Sequence, residues 1–247
     1  MAKLDIIIPA YNEDENIVTL LKLLDSEVIC NFRVLICYDN ESDNTLKYLK
    51  NSDVINKEIL FIKNPKNGPN SAIIEGINSS DAEIILVYMA DDFENIKLIN
   101  RMTKLIELGN DLVIPTRFMP GGKMIGAAKT KEIVTRVGAY LLYYLARIPF
   151  KDCTNAFKMF SASLKDKIKF DSTTGFTFAL ELVVKSYFLK LKIVEIPSTW
   201  IEIENRKSNF KMLKWIPYYI YWLLYSMAKS YPLKINFFFK WILLKKK

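Results

Sequence analysis

Histidine is absent from all 247 residues. That absence removes Ser–His and Cys–His nucleophile pairs, imidazole metal ligands and imidazole general bases. Acid–base work must fall to carboxylates, Lys, Tyr or the substrate itself. Cysteine is scarce. Cys30, Cys37 and Cys153 show no paired spacing, which argues against a disulfide scaffold and a zinc site and for a reducing compartment. Acid is missing from the end of the chain. From Asn205 to Lys247 there are ten Lys or Arg and no Asp or Glu, whereas residues 1–204 hold 25 basic and 27 acidic residues. The formal net charge of +8 therefore belongs to the tail and suggests an anionic surface against it. No repeat of fixed period is present. Asp5 and Pro9 break the only apolar run near the start, so no cleavable leader is expected. Trp215 to Ala228 is uncharged for 14 residues and Ile235 to Leu244 is broken by Lys240; both fall short of the ~20 residues of a helical bilayer span.

What is present is an alternation. Apolar runs at Leu4–Ile8, Phe32–Tyr38, Glu58–Ile62, Ile84–Tyr88 and Asp111–Pro115 predict strands. Helices are expected between them, with apolar spacing at Ile17, Leu20, Leu21 and Leu24 in the first. Strand and helix alternating at this spacing predict an α/β fold with a mostly parallel, doubly wound sheet. After Gly121-Gly122 the pattern changes. A long helix is expected over Thr130–Arg147, a short edge strand over Phe157–Phe160, a helix over Phe178–Leu189 and a strand over Lys192–Pro197. The chain divides into a domain over 1–210 and a basic, aromatic helical tail over 211–247.

The chain is organised around residues 82–95. The strand Ile84–Tyr88 opens into three carboxylates within four residues, Asp91, Asp92 and Glu94. Open α/β sheets place ligands at the carboxyl ends of their strands. Hard oxygen ligands there suit Mg²⁺ or Mn²⁺, with substrate phosphates completing the shell. The competing reading is an acidic helix N-terminus, where Asp and Glu favour the dipole. Arg117, after the fifth strand, lies on the same edge and can fork onto a phosphate or be an ordinary loop cation. Asp152 is a candidate base or a turn residue before Thr154.

Several short motifs then fall in one order. Ile6-Ile7-Ile8-Pro9-Ala10-Tyr11-Asn12-Glu13 resembles the opening of family-two glycosyltransferases, and Asp39–Thr45 is similar to their second-strand acidic turn. Asn67-Gly68 with Ala72 and Gly76 resembles their Asn-x-Gly helix opening, and Ala90-Asp91-Asp92 their acidic metal motif. Thr116-Arg117-Phe118 with Gly121-Gly122, Asp152–Lys158, Gly175-Phe176 with Glu181, Glu195-Ile196-Pro197 and Arg206–Phe210 resemble later segments of the dolichol-phosphate mannose synthase branch. The likeness spans about residues 4–211. It implies a GT-A fold and inverting transfer of a sugar from a nucleotide-diphosphate donor. It also implies nucleotide contacts at Pro9, Tyr11, Glu13, Asp39, Asn67, Ala90 and Asp91, a metal at Asp91 with help from Asp92, and catalytic parts for Asp91, Arg117 and Asp152. Met89 stands where the branch carries a further Asp.

A phosphate acceptor is already anionic and needs no strong base, which agrees with a chain lacking His. Arg117, Arg136, Arg206 and Lys207 are the candidates to grip it. The acceptor expected is a polyprenyl phosphate. The alternatives are a hydroxyl of a glycan or lipid, with Asp152 as base, and an inactive nucleotide-sugar binder. The tail mixes Trp, Tyr and Phe with Lys at non-spanning length, so residues 212–244 are expected to lie in the interface of the cytoplasmic membrane face, the alternative being a helix pair packed on the sheet or a dimer surface. Nucleic acid is not expected as a partner.

Overall fold

The computed structural model describes residues 2–50, 55–127, 129–202 and 212–231. In chain order the elements are β1 (Leu4–Ala10), α1 (Asn16–Glu27), β2 (Phe32–Tyr38), α2 (Asn44–Lys50), β3 (Ile59–Lys63), α3 (Pro69–Ser79), β4 (Ile84–Val87), α4 (Leu98–Glu107) and β5 (Leu112–Thr116). They continue with β6 (Lys123–Ile125), α5 (Lys129–Tyr144), β7 (Lys158–Ser161), α6 (Ala162–Lys167), α7 (Thr177–Phe188), β8 (Ile193–Pro197), β9 (Thr199–Ile201) and α8 (Met212–Ser230).

Seven strands form one sheet in the order β3-β2-β1-β4-β7-β5-β8, and β6 pairs with β9 in a small second sheet. β1 to β4 run parallel, as do β5 and β8. β7 runs antiparallel to both β4 and β5. The order reverses at β1, which has β2 on one side and β4 on the other. The expected α/β sheet is therefore present, with one reversed strand. The strand expected at an edge over 157–160 lies instead inside the sheet. β7 is paired on both sides, with β4 and with β5, and Lys158 is fully buried.

The pleat sends successive strand residues to opposite faces. Ile6, Ile8, Val34, Ile36 and Leu86 face α1 and α4 through Ile17, Leu20, Ile99 and Met102. Ile7, Leu35, Cys37, Ile85 and Val87 face α3 and α7 through Ile73, Ile77, Phe178 and Val183. α3 approaches the sheet so closely that a Cβ on Gly76 would lie 2.6 Å from Cys37 Sγ and from Ile7 Cγ2.

The first half of the expected tail is one helix, α8, and it is seated on the body. Trp222 is 2 % exposed, Ser226 is buried, and both belong to the face turned to α7. Trp222 Nε1 donates to Ser172 Oγ at 3.0 Å, and Ser230 Oγ donates to the Ala146 carbonyl at 2.5 Å. Trp215, Tyr219, Trp222 and Ser226 recur at helical spacing, so one stripe of α8 packs inward. No helix among the described residues is long and apolar enough to cross a membrane. Arg206, Lys207 and the second apolar segment of the tail lie outside the described residues.

Candidate functional site

A cleft of about 1030 Å³ opens at the carboxyl ends of the strands. Its polar lining includes Glu13, Asp39, Asp91, Asp92, Glu94 and Arg117, and Pro9, Tyr11 and Gly68 also line it. The loop after β1 is set by two residues in the left-handed region, Asn12 at φ 53° and Asp14 at φ 49°. The Asn12 N–H donates to both oxygens of Asp43 at 3.1 and 3.2 Å, and the Glu13 N–H donates to Thr45 Oγ1 at 3.1 Å. Of the acidic turn after β2, Asp43 is thus spent on holding this loop, and Asp39 reaches the cleft. Asp39 accepts the Gly68 N–H at 2.8 Å and the Asn64 side-chain amide at 2.6 Å. A carboxylate has about four lone-pair positions, so these bonds leave acceptor capacity. Gly68 adopts φ 106°, a conformation L side chains rarely take, and precedes Pro69 at the start of α3. The turn presents a helix N-terminus to the cleft, a ready anion site once a ligand arrives.

The two acids after β4 are used differently. Asp91 is exposed in the cleft. Asp92 turns inward, where Asn95 donates to it through its backbone N–H at 3.1 Å and its amide at 2.8 and 2.9 Å. Burial pushes the Asp92 carboxyl up to about 6, against the pull of the Asn95 bonds. Asn95 in turn spans to Thr199 through both its amide and its carbonyl oxygen. Among the described residues no group of three His, Cys, Asp or Glu is gathered into a metal cage. The donor set present, one exposed Asp with Glu94 on the same cleft, fits Mg²⁺ or Mn²⁺ only as a shared site that a diphosphate would complete.

Arg117 and Asp152, assigned by sequence to a phosphate and to a proton, are on each other. Nε and Nη2 of Arg117 donate to the two carboxylate oxygens at 2.7 and 2.8 Å, and its backbone N–H adds a third bond at 3.0 Å. Burial alone would raise the Asp152 carboxyl, but the charge and bonds of Arg117 outweigh it and hold the group below the usual carboxylate range. Asp152 has no exposed side-chain area. Arg117 keeps a face to the cleft, packed on the Phe118 ring. Tyr219 of α8 also lines the cleft, and burial beside this cation leaves its hydroxyl pushed up to about 12. Arg136 stacks on the same Phe118 ring, 4.7 Å from its centroid, with its Nε donating to Glu132 at 2.9 Å.

The remaining wall is apolar. Val134, Val137 and Leu141 of α5 and Ile216, Ile220 and Leu223 of α8 line it. α5 also turns an apolar stripe outward. Ile133, Tyr140 and Tyr144 are 59, 59 and 69 % exposed. Their spacing puts them on one helix face.

The structure thus brings Pro9, Tyr11, Glu13, Asp39, Asp91, Asp92 and Arg117 to one cleft. Asn67 is exposed in the loop before Gly68, Ala90 is buried behind Asp91, and Asp152 lies beneath Arg117. Sequence reasoning missed Trp200 and Tyr219 as cleft residues, and Lys158 beneath its floor. The helical spacing of the tail aromatics was the signal for Tyr219.

Comparison with known proteins bears on this geometry. The family model described as Glycosyl transferase family 2 matches residues 5–169. The chain is 24% identical over 201 residues to the dolichol-phosphate mannosyltransferase of Pyrococcus furiosus, covering 80% of this chain and 56% of that one. It is 24% identical over 210 residues to the undecaprenyl-phosphate mannosyltransferase of Micrococcus luteus, covering 82% of this chain and 85% of that one. This chain therefore spans little more than half of the first relative and most of the second. The glucosyl-3-phosphoglycerate synthase of Mycobacterium tuberculosis, crystallised with Mn²⁺, UDP and glucosyl-3-phosphoglycerate, superposes with a TM-score of 0.68 at 13% identity. The match covers 92% of this chain and 80% of that one, and supports the GT-A-like fold.

Proposed function

The chain belongs to glycosyl transferase family 2, and from that premise we propose that it moves a sugar from a nucleotide-diphosphate donor to a polyprenyl phosphate at a membrane surface. One observation carries the proposal. A single cleft is lined by polar residues, among them Glu13, Asp39, Gly68 and Asp91, and by apolar residues of α5 and α8, and Arg117 lines the same cleft. The polar part suits a nucleoside and its diphosphate; the apolar part suits a prenyl chain; the cation suits the phosphate between them. The polyprenyl-phosphate transferases among the relatives agree with this reading.

Asp39 and Glu13 would accept from the base and ribose. The N-terminus of α3 and Asp91 would hold the diphosphate, Asp91 with the help of Mg²⁺ or Mn²⁺. Such an ion supplies charge stabilisation as the diphosphate leaves. Attack by an acceptor phosphate oxygen on the anomeric carbon, opposite the departing diphosphate, inverts that centre and requires no protein base. The hydroxyl-acceptor alternative needs one. Asp152, fully buried and held ionised by Arg117, is poorly placed to be it. The exposed stripe of α5 beside the cleft would rest on the bilayer and let the lipid enter along the apolar wall.

The test pairs a thermal-shift panel of UDP-, GDP- and dTDP-sugars plus Mn²⁺ with a transfer assay offering a prenyl phosphate or a free glycan. One donor should raise the melting temperature in a metal-dependent way, and its sugar should pass to the prenyl phosphate. Transfer to the glycan alone would overturn the acceptor assignment. No donor binding at all would overturn the enzyme reading.

A further inference from the structure

We propose that Lys158 is a positioning residue of this cleft: its ammonium ties down the loop of residues 152–157 and keeps the Arg117 wall from turning net negative toward a substrate phosphate. The proposal rests on the reading that a phosphate is bound beside Arg117.

Lys158 opens β7, opposite Val87 of β4, and no part of it reaches solvent. Its Nζ donates to the carbonyls of Asn155 at 2.5 Å, Asp152 at 3.4 Å and Phe157 at 3.4 Å. All three acceptors belong to one loop. The same loop turns Asn155 and Phe157 into the cleft and supplies the carboxylate that grips Arg117. Lys158 thus fixes the backbone from which Asp152 aims the guanidinium.

The charge balance points the same way. Arg117 and Lys158 balance Asp152 and Glu195, so without the ammonium this wall would carry a net negative charge against a phosphate. The charged groups that face Lys158 are Asp152, Arg117 and Glu195, the last half-buried and accepting from the Lys151 N–H at 2.8 Å. The neighbouring Cys153 thiol is pushed up by burial and stays neutral. An ammonium bonded to carbonyls rather than to its own carboxylate is a costly thing to bury. Burial pulls its pKa down from 10.5 to about 8.

That shift separates a working charge from a scaffold. With the folded value below the unfolded one, the unfolded chain holds the proton more tightly between about pH 8 and 10.5, so stability from this group rises with pH there. A phosphate that needs the ammonium must instead bind less well over the same range. Phosphate monoesters complete their second ionisation near pH 6, roughly, and do not titrate in this window. Affinity and stability should therefore move in opposite directions.

The experiment measures affinity for a short-chain prenyl phosphate from pH 7 to 10, alongside melting temperature. The parent should lose about tenfold in affinity while its melting temperature holds or rises. Lys158→Arg should carry the alkaline loss beyond pH 10. Lys158→Met should bind phosphate about tenfold less well at pH 7 and without pH dependence. A flat affinity in the parent, or affinity and melting temperature falling together, would overturn the proposal, and neither depends on a variant folding. An alkaline loss unchanged in Lys158→Arg would overturn it too. Prenyl phosphate bound with the expected pH dependence but given no sugar would sink the transfer reading and leave Lys158 standing; sugar transfer with a flat affinity would do the reverse.

Discussion

Asn95 divides the labour of two adjacent carboxylates: it ties Asp92 to the β9 backbone and leaves Asp91 in the cleft. Asp91→Asn should therefore lose about 100-fold or more in metal-dependent turnover with its melting temperature nearly unchanged. Asn95→Ala should cost about 1–3 kcal/mol in denaturant unfolding, because it strands Asp92 and the Thr199 backbone. Equal losses of stability in the two variants would refute the division. Arg117 and Asp152 form a buried fork, and removing one partner from such a pair costs ~3–5 kcal/mol. Asp152→Asn should show that deficit at pH 7. The folded pKa of Asp152 lies below 3.8, so its contribution is intact above that value and is lost as pH falls through the lower one. The deficit of Asp152→Asn should shrink in urea titrations as pH drops below 4. At this scale the sequence named most of the polar cleft residues, since acids and Pro at strand ends are local signals. It did not show that Arg117 and Asp152, 35 residues apart, meet each other, because a pairing across the fold leaves no local trace.

Among elements, the strands legible in advance were those with apolar runs buried on both faces, β1, β2 and β4 above all. β6 and β9 have three residues each and no pattern long enough to read. β7 was expected at an edge and lies inside the sheet, and its buried Lys158 is what hydrophobic periodicity cannot anticipate. α8 was legible as a helix but not as a wall of the site. The seated face of α8 gives a prediction. Removing residues 212–247 should expose the α7 face and lower stability by several kcal/mol, with Trp222→Ala alone costing about 3–5 kcal/mol. A truncated protein as stable as the parent would show that α8 is dispensable to the body. Helix α3 gives another. Gly76→Ala must displace Cys37 or Ile7 and should cost about 1–3 kcal/mol in thermal unfolding, whereas Gly138→Ala meets nothing within 4 Å.

For the whole molecule, the outward stripe of α5 is the surface on which the proposed lipid contact would fall. The protein should bind anionic liposomes in a flotation assay and release partly in high salt. Replacing Ile133, Tyr140 and Tyr144 by Ser should weaken binding at least about tenfold while nucleotide-driven stabilisation persists. Unchanged flotation would move the contact elsewhere. The placing of β7 has a different consequence, in the order of assembly. β4 and β5 follow one another in the chain but are not neighbours; a one-strand gap separates them until residues 158–161 arrive. A growing chain that has delivered β5 still has roughly 45 residues to add, a delay of about 2–9 s at usual elongation rates. Through that interval two apolar strands present open edges, the form in which a nascent protein pairs with the wrong partner, so this chain should lean on chaperones during its synthesis rather than after it.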